Sequence, residues 1–226
     1  MRRPQVRIVA ALRAADVNPA VSVLNFHAAT PDDVRLNFSL GKVIGFDETG
    51  GSDQSDRKYR TEGWDFVIAG GGVYDHLDFS FTPDREDGRA VPLPSGMPGG
   101  GGPKLRQQLA ILKKFIEGFD FVRMRPCDEC IERITIRPTA SAKKTDKKPT
   151  VRVLAEPGKA YAVYVNGGQQ AQFAIKLPAG NFAAEWLDTK NGKVDRSETF
   201  RHEGGTKTLS SPDYAEDIAL RLSRSP

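Results

Sequence analysis

Two adjacent carboxylates follow a short apolar run in the first half of the chain. The run covers residues 43–46, the acids are Asp47 and Glu48, and a glycine pair comes soon after. An apolar strand that ends in acids and a loop is how many α/β enzymes present a catalytic group. An acid before a glycine turn is otherwise a solvated side chain. Glu48 is therefore a candidate catalytic carboxylate.

Asp47 is a candidate neighbour that orients Glu48 or a bound ligand. Successive side chains of a strand point to opposite faces, so Asp47 is not expected to act as the second carboxylate beside Glu48.

Four further polar side chains alternate with apolar residues in two other runs. Asn25 and His27 lie in the run 20–28, and His76 and Asp78 lie in the run 74–82. If both runs are strands, these side chains can face a common pocket. The alternatives are that His27 is a loop or internally satisfied histidine, and that Asp78 is a structural hydrogen-bond acceptor.

The first half of the chain alternates predicted helices and strands. Strands are predicted at 20–28, 42–47 and 74–82, and helices at 5–15, 30–41, 56–70 and 105–116. The segment 30–41 alternates like a strand, but Thr30 as cap, Pro31 in the first turn and Gly41 as stop favour a helix. Segment 74–82 is assigned as a strand because Leu77, Phe79 and Phe81 would share one face. This order predicts parallel strands, with a Gly/Pro-rich loop at 83–103 that is either a lid or a disordered segment.

The second half of the chain reads as antiparallel β-structure. Eight short strands are predicted at 133–137, 151–154, 160–165, 171–176, 181–187, 197–200, 206–209 and 217–222. Turn signals such as Asn166-Gly167-Gly168 and Asn191-Gly192 separate them. So many short strands in one segment predict a β-sandwich, with Trp186 in its core.

Composition argues against two classes of partner. Of the 226 residues, 38% are hydrophobic and 27% charged, which is typical of a globular protein. Part of the net charge of +4 lies in the run 143–148, and no basic stripe with interleaved aromatics occurs, so nucleic acid is not expected as a partner. No stretch is long enough to span a membrane, and the basic start of the chain precedes an apolar run too short for a signal peptide.

The two cysteines form one Cys-x-x-Cys motif, Cys127 and Cys130. One such pair supplies only two zinc ligands, and no second pair exists. A structural or incidental pair, a local disulfide and half of a metal site remain open. No cofactor and no complete metal site are expected.

Three segments carry a resemblance to a known family. They are "VIGFDETG", "YRTEGWDFVIAGGGVYDHLDFSFT" and "LRQQLAILKKFIEGFDFVRMRP". Together they resemble the last part of the (β/α)₈ TIM barrel of retaining glycoside hydrolases, in particular the apiosidase-like and cellulase-like enzymes. The resemblance covers about residues 5–126 and implies that the three predicted strands are barrel strands six to eight.

The resemblance implies roles for the candidate residues. Glu48 falls at the position of the nucleophile, at the end of the seventh strand. The residues expected to bind the oligo- or polysaccharide are Asn25, His27, Asp47, Tyr59, Arg60, Trp64, His76 and Asp78. Trp64 is alternatively a packing residue between helix and barrel.

The general acid of this family sits at the end of the fourth strand, which the resemblance places outside this chain. A lone carboxylate cannot both attack and protonate a glycoside. We therefore expect a truncated or split hydrolase that is inactive alone, or one completed by a partner that supplies strands one to five.

The tail of the chain resembles the small β-domain that follows the barrel in these proteins. The marks are "GKAYAVYV", "FAAEWLDTKNGKV" and "DIALRL". Family naming calls this domain collagen-binding, but an accessory role is expected. The predicted domains are a partial barrel at 1–131 and a β-sandwich at 132–226. The complete enzyme is expected to be secreted or periplasmic, and the alternative function is a non-catalytic glycan- or matrix-binding protein.

Overall fold

The computed structural model describes residues 17–27, 29–48, 54–93, 99–139 and 148–225. The chain divides into two compact units, Met1–Arg106 and Gln107–Pro226. The predicted helix at 5–15 lies outside the described residues. The predicted domain limits, 1–131 and 132–226, stay a prediction.

The first unit contains a parallel three-stranded sheet in the order β1-β2-β3. Its elements run in the order β1 (Val23–His27), α1 (Pro31–Asn37), β2 (Val43–Glu48), α2 (Asp56–Ile68) and β3 (Val73–Tyr74). The predicted alternation of parallel strands and helices is thus confirmed here.

Helix α1 begins where the capping signals place it. The Asp33 carboxylate accepts the Thr30 backbone N–H at 2.7 Å and the Thr30 hydroxyl at 2.9 Å. A 3₁₀ turn, Phe38–Leu40, extends the helix to Gly41, which adopts a left-handed φ of 62°. The end signals therefore outweigh the strand-like alternation of this segment.

The predicted strand 74–82 is wrong beyond Tyr74, because aspartates turn the chain. The Asp75 carboxylate accepts the backbone N–H of Leu77 at 2.9 Å, and Leu77 has a φ of 56°. The Asp78 carboxylate accepts the backbone N–H of Ser80 at 2.9 Å in the same manner. These local turns compete with strand pairing, so His76 and Asp78 do not share the polar face of a strand.

One face of the parallel sheet is covered by the helices. Phe26, Ile44 and Phe46 are almost fully buried there, and the Phe66 ring of α2 lies 4.1 Å from the Phe46 ring. The opposite face carries one valine on each strand.

These three valines are half-exposed, with relative accessibilities of 48% for Val23, 46% for Val43 and 50% for Val73. Val23 pairs with Val43, and Gly45 pairs with Val73, so the valines lie on one face. Parallel sheets are usually covered on both faces.

The second unit contains one antiparallel sheet in the order β4-β6-β7-β10-β8-β5, with β9 also paired to β8. Helix α3 (Pro103–Glu117) crosses the boundary between the units. The strands are β4 (Arg125–Pro126), β5 (Ile131–Arg137), β6 (Thr150–Glu156), β7 (Ala160–Asn166), β8 (Gln170–Leu187), β9 (Val194–Ser210) and β10 (Asp217–Arg224). Within the described residues, each helix is too short or too polar to cross a membrane.

Two long strands replace four of the eight predicted short ones. Segments 171–176 and 181–187 both belong to β8, and segments 197–200 and 206–209 both belong to β9. Pro178 and Gly204 fall between the Leu177–Gly205 and Ala179–Glu203 pairs, and the register is the same on both sides of them. Gly204 and Gly205 have φ values of 98° and 97°, a conformation that glycine adopts without steric cost, so the hairpin continues through this point.

The sheet is curled around a single core. On one edge, β8 pairs first with β5 through Gln170–Ile175 and then with β10 through Phe182–Leu187. Side chains from β6, β7, β8 and β10 share this core, among them Val153, Val163, Phe173, Trp186 and Leu220. The predicted burial of Trp186 is confirmed.

Cys127 and Cys130 form a disulfide with a Cα–Cα distance of 5.4 Å. This outcome selects the local disulfide among the alternatives that the sequence left open. Two hydrogen bonds join the segment Cys127–Cys130 to β6. The Cys127 N–H donates to the Val153 carbonyl at 2.8 Å, and the Val153 N–H donates to the Asp128 carboxylate at 3.0 Å. Cys127 is 4% exposed and belongs to the core.

Removal of this disulfide should lower stability modestly, because it closes a very short loop. For a loop of this size, chain entropy gives about 2 kcal/mol of unfolding free energy. We expect a Cys127→Ala/Cys130→Ala variant to unfold at lower denaturant concentration than the oxidised protein. A reductant should destabilise the wild type and leave the variant unchanged; equal sensitivity of both would contradict this role.

Candidate functional site

The carboxyl ends of β1 and β2 bring three ionisable side chains together. His27 is the last residue of β1, and Asp47 and Glu48 are the last residues of β2. The two strands are parallel and paired, so their ends meet at one edge of the sheet. We call Asn25, His27, Asp47 and Glu48 the strand-end cluster.

The imidazole of His27 lies between the two carboxylates. Its Nδ1 lies 3.0 Å from Asp47 Oδ1, and its Nε2 lies 3.3 Å from Glu48 Oε2. Asp47 also accepts a hydrogen bond from the side-chain amide of Asn25, at 2.7 Å from Nδ2 to Oδ2. Each oxygen of Asp47 therefore has its own partner in the cluster.

The expectation that Asp47 and Glu48 act on opposite faces fails at this point of the sheet. The strand register shifts between Phe26 and His27, so that His27 lies opposite Glu48. An irregularity of this type re-aims side chains at the end of a strand. Both carboxylates consequently contact the same imidazole ring.

Gly45 makes room for the Asn25 side chain. A Cβ atom at this position would lie 2.7 Å from the Asn25 side-chain oxygen. Asn25 and Gly45 are paired across β1 and β2, so the glycine lies directly beside the amide. The glycine in "VIGFDE" is thus a residue of the site that sequence reasoning did not single out.

The strand-end cluster is open to solvent. The side chains of His27, Asp47 and Glu48 have relative accessibilities of 60%, 46% and 42%. Exposed ion pairs of this kind contribute little to stability. An accessible carboxylate held by neighbours can act as a nucleophile, as a general base or as a ligand to a sugar hydroxyl.

Three of the predicted sugar-binding residues lie in the interior instead. Tyr59, Arg60 and Trp64 of α2 have relative accessibilities of 0%, 2% and 0%. This placement argues against direct sugar contacts, because a buried side chain presents no face to a ligand. They pack in the first unit, which is the alternative that the sequence left open for Trp64.

His76 is also buried and lies between aromatic rings. Its ring centroid lies 5.1 Å from that of Tyr59 and 6.2 Å from that of Tyr74. Burial lowers the pKa of His76 below its ordinary value of 6.5, although Asp78 and Asp75 oppose this shift. Its Nε2 has no hydrogen-bond partner among the described residues.

Asp78 organises the chain between β3 and α3. Its carboxylate accepts hydrogen bonds from the Ser80 hydroxyl at 2.6 Å, from the Gly102 N–H at 3.1 Å and from the Arg106 guanidinium. Burial alone raises the pKa of Asp78, but the bonds from Ser80 and Arg106 outweigh it, so that pKa lies below its usual range.

Arg106 ties part of the glycine-rich loop to this aspartate. Its Nη2 donates to the Gly88 carbonyl at 2.7 Å, and its guanidinium lies 5.0 Å from the centre of the Phe81 ring. The sequence did not indicate that Arg106 binds Asp78 and the loop, because an arginine in the first turn of an amphipathic helix is common. The loop's predicted role as a lid stays a prediction.

A metal site does not emerge from the described part of the chain. No group of three or more His, Cys, Asp or Glu side chains there could hold a metal ion.

Comparison with known proteins gives a likeness in structure alone. No protein-family model matches the chain, and no curated protein matches it in sequence. A glycoside hydrolase family 5 structure from Bacteroides vulgatus matches with a TM-score of 0.62 at 14% identity, over 94% of this chain and 52% of that one. This likeness shows the fold: the chain folds like part of a glycoside hydrolase and spans about half the length of that structure.

Two further glycoside hydrolase structures match less well. A GH30 endoxylanase from Clostridium papyrosolvens has a TM-score of 0.44 at 16% identity, over 90% of this chain and 49% of that one. A glucosidase from Croceicoccus marinus has a TM-score of 0.40 at 8% identity, over 90% of this chain and 53% of that one.

Substitution of Gly45 should disturb the strand-end cluster without unfolding the sheet. In Gly45→Ala the new methyl group displaces the Asn25 amide, which then loses its bond to Asp47. We expect a changed NMR environment for the Asn25 side-chain amide and a loss of about 1 kcal/mol. An Asn25→Ala/Gly45→Ala double variant should lose little more than Asn25→Ala; a fully additive loss would contradict the predicted clash.

His76 should make stability fall on acidification. Its pKa is lowered in the folded state, so the unfolded chain binds the proton more readily; this stabilising contribution is complete above pH 6.5 and is lost as pH falls towards the folded pKa. The slope cannot exceed about 1.4 kcal/mol per pH unit for one group. Denaturant titrations between pH 7.5 and 5 should show a flatter profile for His76→Phe than for the wild type. His202→Gln is the control that keeps the slope.

Proposed function

We propose that this chain is part of a retaining glycoside hydrolase in which Glu48 is the nucleophile. The observation that carries the proposal is the position of Glu48, an accessible carboxylate at the carboxyl end of a parallel strand and next to an oriented imidazole. Barrel enzymes place catalytic groups at this end of their strands. The fold shared with the family 5 glycoside hydrolase supports the same reading.

In this proposal the Glu48 carboxylate attacks the anomeric carbon and forms a glycosyl ester. Water then hydrolyses the ester and returns the carboxylate. His27 contacts Glu48, and Asp47, itself bonded to Asn25, contacts the other nitrogen of His27. A second carboxyl group, protonated and about 5 to 5.5 Å from Glu48, must protonate the leaving oxygen in a retaining enzyme.

We place that second carboxyl group in a part of the protein that this chain does not contain. The chain would supply strands six to eight of a TIM barrel, and another segment or partner would supply strands one to five. Two observations support this view: the chain spans about half of the family 5 structure, and the valine-bearing sheet face is exposed. By itself the chain would then be inactive.

The substrate class follows from the resemblance to apiosidase-like and cellulase-like enzymes. We propose an oligo- or polysaccharide of plant or algal type, hydrolysed without a cofactor, with neither nucleic acid nor membrane as partner. Export to the periplasm or the medium is part of the proposal, and the Cys127–Cys130 disulfide supports it because disulfides persist in oxidising compartments.

The second unit suggests a second candidate function. It is a compact unit with its own core, and it would correspond to the β-sandwich that follows the barrel in the resembled enzymes. A non-catalytic glycan- or matrix-binding role is therefore the alternative. Retention of the chain on immobilised polysaccharide or collagen tests it, and a chain that passes through both unretarded would leave only an accessory structural role.

Replacement of Glu48 tests the catalytic proposal. The protein to use is the longest one whose reading frame contains this chain, assayed on a panel of aryl glycosides. We expect Glu48→Gln to lower the rate on the order of 10⁴-fold or more, since a nucleophile cannot be replaced by an amide. Incubation with 2-deoxy-2-fluoro glycosides should label the peptide that contains Glu48, as read by mass spectrometry.

Glu86→Gln is the matched control, because Glu86 is an exposed glutamate of the same unit outside the strand-end cluster. It should leave the rate unchanged. A label on another residue, or equal rates for wild type and Glu48→Gln, would remove Glu48 from the mechanism.

A further inference from the structure

Both ring nitrogens of His27 face protein carboxylates, which leaves neither of them directed at a sugar hydroxyl. Nδ1 faces Asp47 at 3.0 Å, and Nε2 faces Glu48 at 3.3 Å. The ring therefore bridges two acids. Its polar atoms are engaged within the cluster, although its surface is exposed.

The distances exclude one role for His27 in a retaining hydrolase. The group that protonates the leaving oxygen must lie about 5 to 5.5 Å from the nucleophile, to leave room for the reacting sugar atoms. His27 Nε2 lies only 3.3 Å from Glu48 Oε2. The imidazole therefore contacts the proposed nucleophile, Glu48, directly and can position it.

Asp47 is held so that it faces Nδ1. Its second oxygen accepts the Asn25 amide at 2.7 Å, and Gly45 leaves the space for that amide. The partner of one imidazole nitrogen decides which nitrogen carries the proton. A carboxylate only accepts hydrogen bonds, so the contact between Nδ1 and Asp47 requires a proton on Nδ1.

We propose that Asp47 fixes His27 as the Nδ1–H tautomer and thereby aims Nε2 at Glu48 Oε2, so that His27 is the positioning residue of Glu48. The role of Glu48 as nucleophile in this statement rests on the proposed function. The tautomer rests only on the geometry of the strand-end cluster.

The proton balance of this arrangement is simple. Attack on the anomeric carbon uses a lone pair of a Glu48 oxygen, and the leaving oxygen takes its proton from the second carboxyl group, so His27 neither gains nor loses a proton in this step. Hydrolysis of the ester restores the Glu48 carboxylate beside Nε2.

The ring nitrogens of His27 can be observed directly by ¹⁵N NMR of the full chain. The chain has three histidines, and a His27→Gln variant assigns the signals of His27. At a pH where the ring is neutral, we expect Nδ1 to be the protonated nitrogen in the wild type. In Asp47→Ala the proton should move to Nε2, which is then the nitrogen with a carboxylate partner.

Two controls separate this effect from general disturbance. Asp84→Ala removes an exposed carboxylate of the same unit and should leave the tautomer of His27 unchanged. The signals of His202, in the second unit, should be the same in all variants. A wild-type His27 protonated on Nε2, or a tautomer indifferent to Asp47→Ala, would overturn the proposal.

A second measurement tests the link to Glu48 without relying on turnover. Glu48→Gln replaces the oxygen partner of Nε2 by an amide, which donates or accepts but does not carry a mobile proton. The ¹⁵N shift of Nε2 should therefore differ between the wild type and Glu48→Gln, while Nδ1 keeps its proton and its shift. An Nε2 shift that is the same in both proteins would overturn the placement of Nε2 on Glu48.

Failure of this inference and failure of the proposed function are distinguishable. If the tautomer and the response of Nε2 to Glu48→Gln are found but fluoroglycosides label no residue, the cluster is right and the hydrolase function is wrong. If Glu48 is labelled at the same rate in wild type, His27→Gln and His27→Leu, then Glu48 is the nucleophile and His27 does not position it. The proposal expects labelling to be slowed in both variants, and less in His27→Gln, which keeps one N–H donor.

Discussion

The parallel pairing of β1 with β2 is the constraint on which the rest of the candidate site depends. Register in this pair sets Asn25 beside Gly45 and Phe26 beside Phe46, so one face of the pair is apolar and covered by helices. The same register brings the two strand ends to one edge. A slip of one residue would exchange the faces and bury Asn25 in place of Phe26. The polar cluster is thus a consequence of how the apolar side of the same strands packs.

Sequence patterns predicted those parts of the fold in which local and long-range preferences agree. Helix α1 was recognisable because Thr30, Pro31 and Gly41 suit the cap, the first turn and the end of a helix. Strand β2 was recognisable from its apolar run, which the structure buries. The segment after Tyr74 was misread because alternation of polar and apolar residues does not reveal the hydrogen bonds of Asp75 and Asp78. Those aspartates accept hydrogen bonds from nearby backbone N–H groups. These bonds compete with strand pairing, and a pattern of polar and apolar residues does not show them.

The sequence indicated which residues lie together at the strand ends but not how they are connected, and their role as a site stays a prediction. Glu48, Asp47, Asn25 and His27 were singled out by type and by position at strand ends, and the structure brings all four together. The irregularity that lets both acids contact one imidazole depends on pairing between strands, which a single sequence does not display. Tyr59, Arg60 and Trp64 show the reverse case, since residues that suit sugar binding by type also suit a helix packed in the interior.

The polarity of the exposed sheet face changes along the strands. Val23, Val43 and Val73 lie towards the beginning of the strands, and the strand-end cluster lies at their end. An isolated sheet gains nothing from this order, because water covers the whole face. In a closed barrel the same order is useful, since apolar layers fill the interior and polar groups line a pocket at its carboxyl end. This order along β1 and β2 supports the proposal that further barrel strands enclose this face.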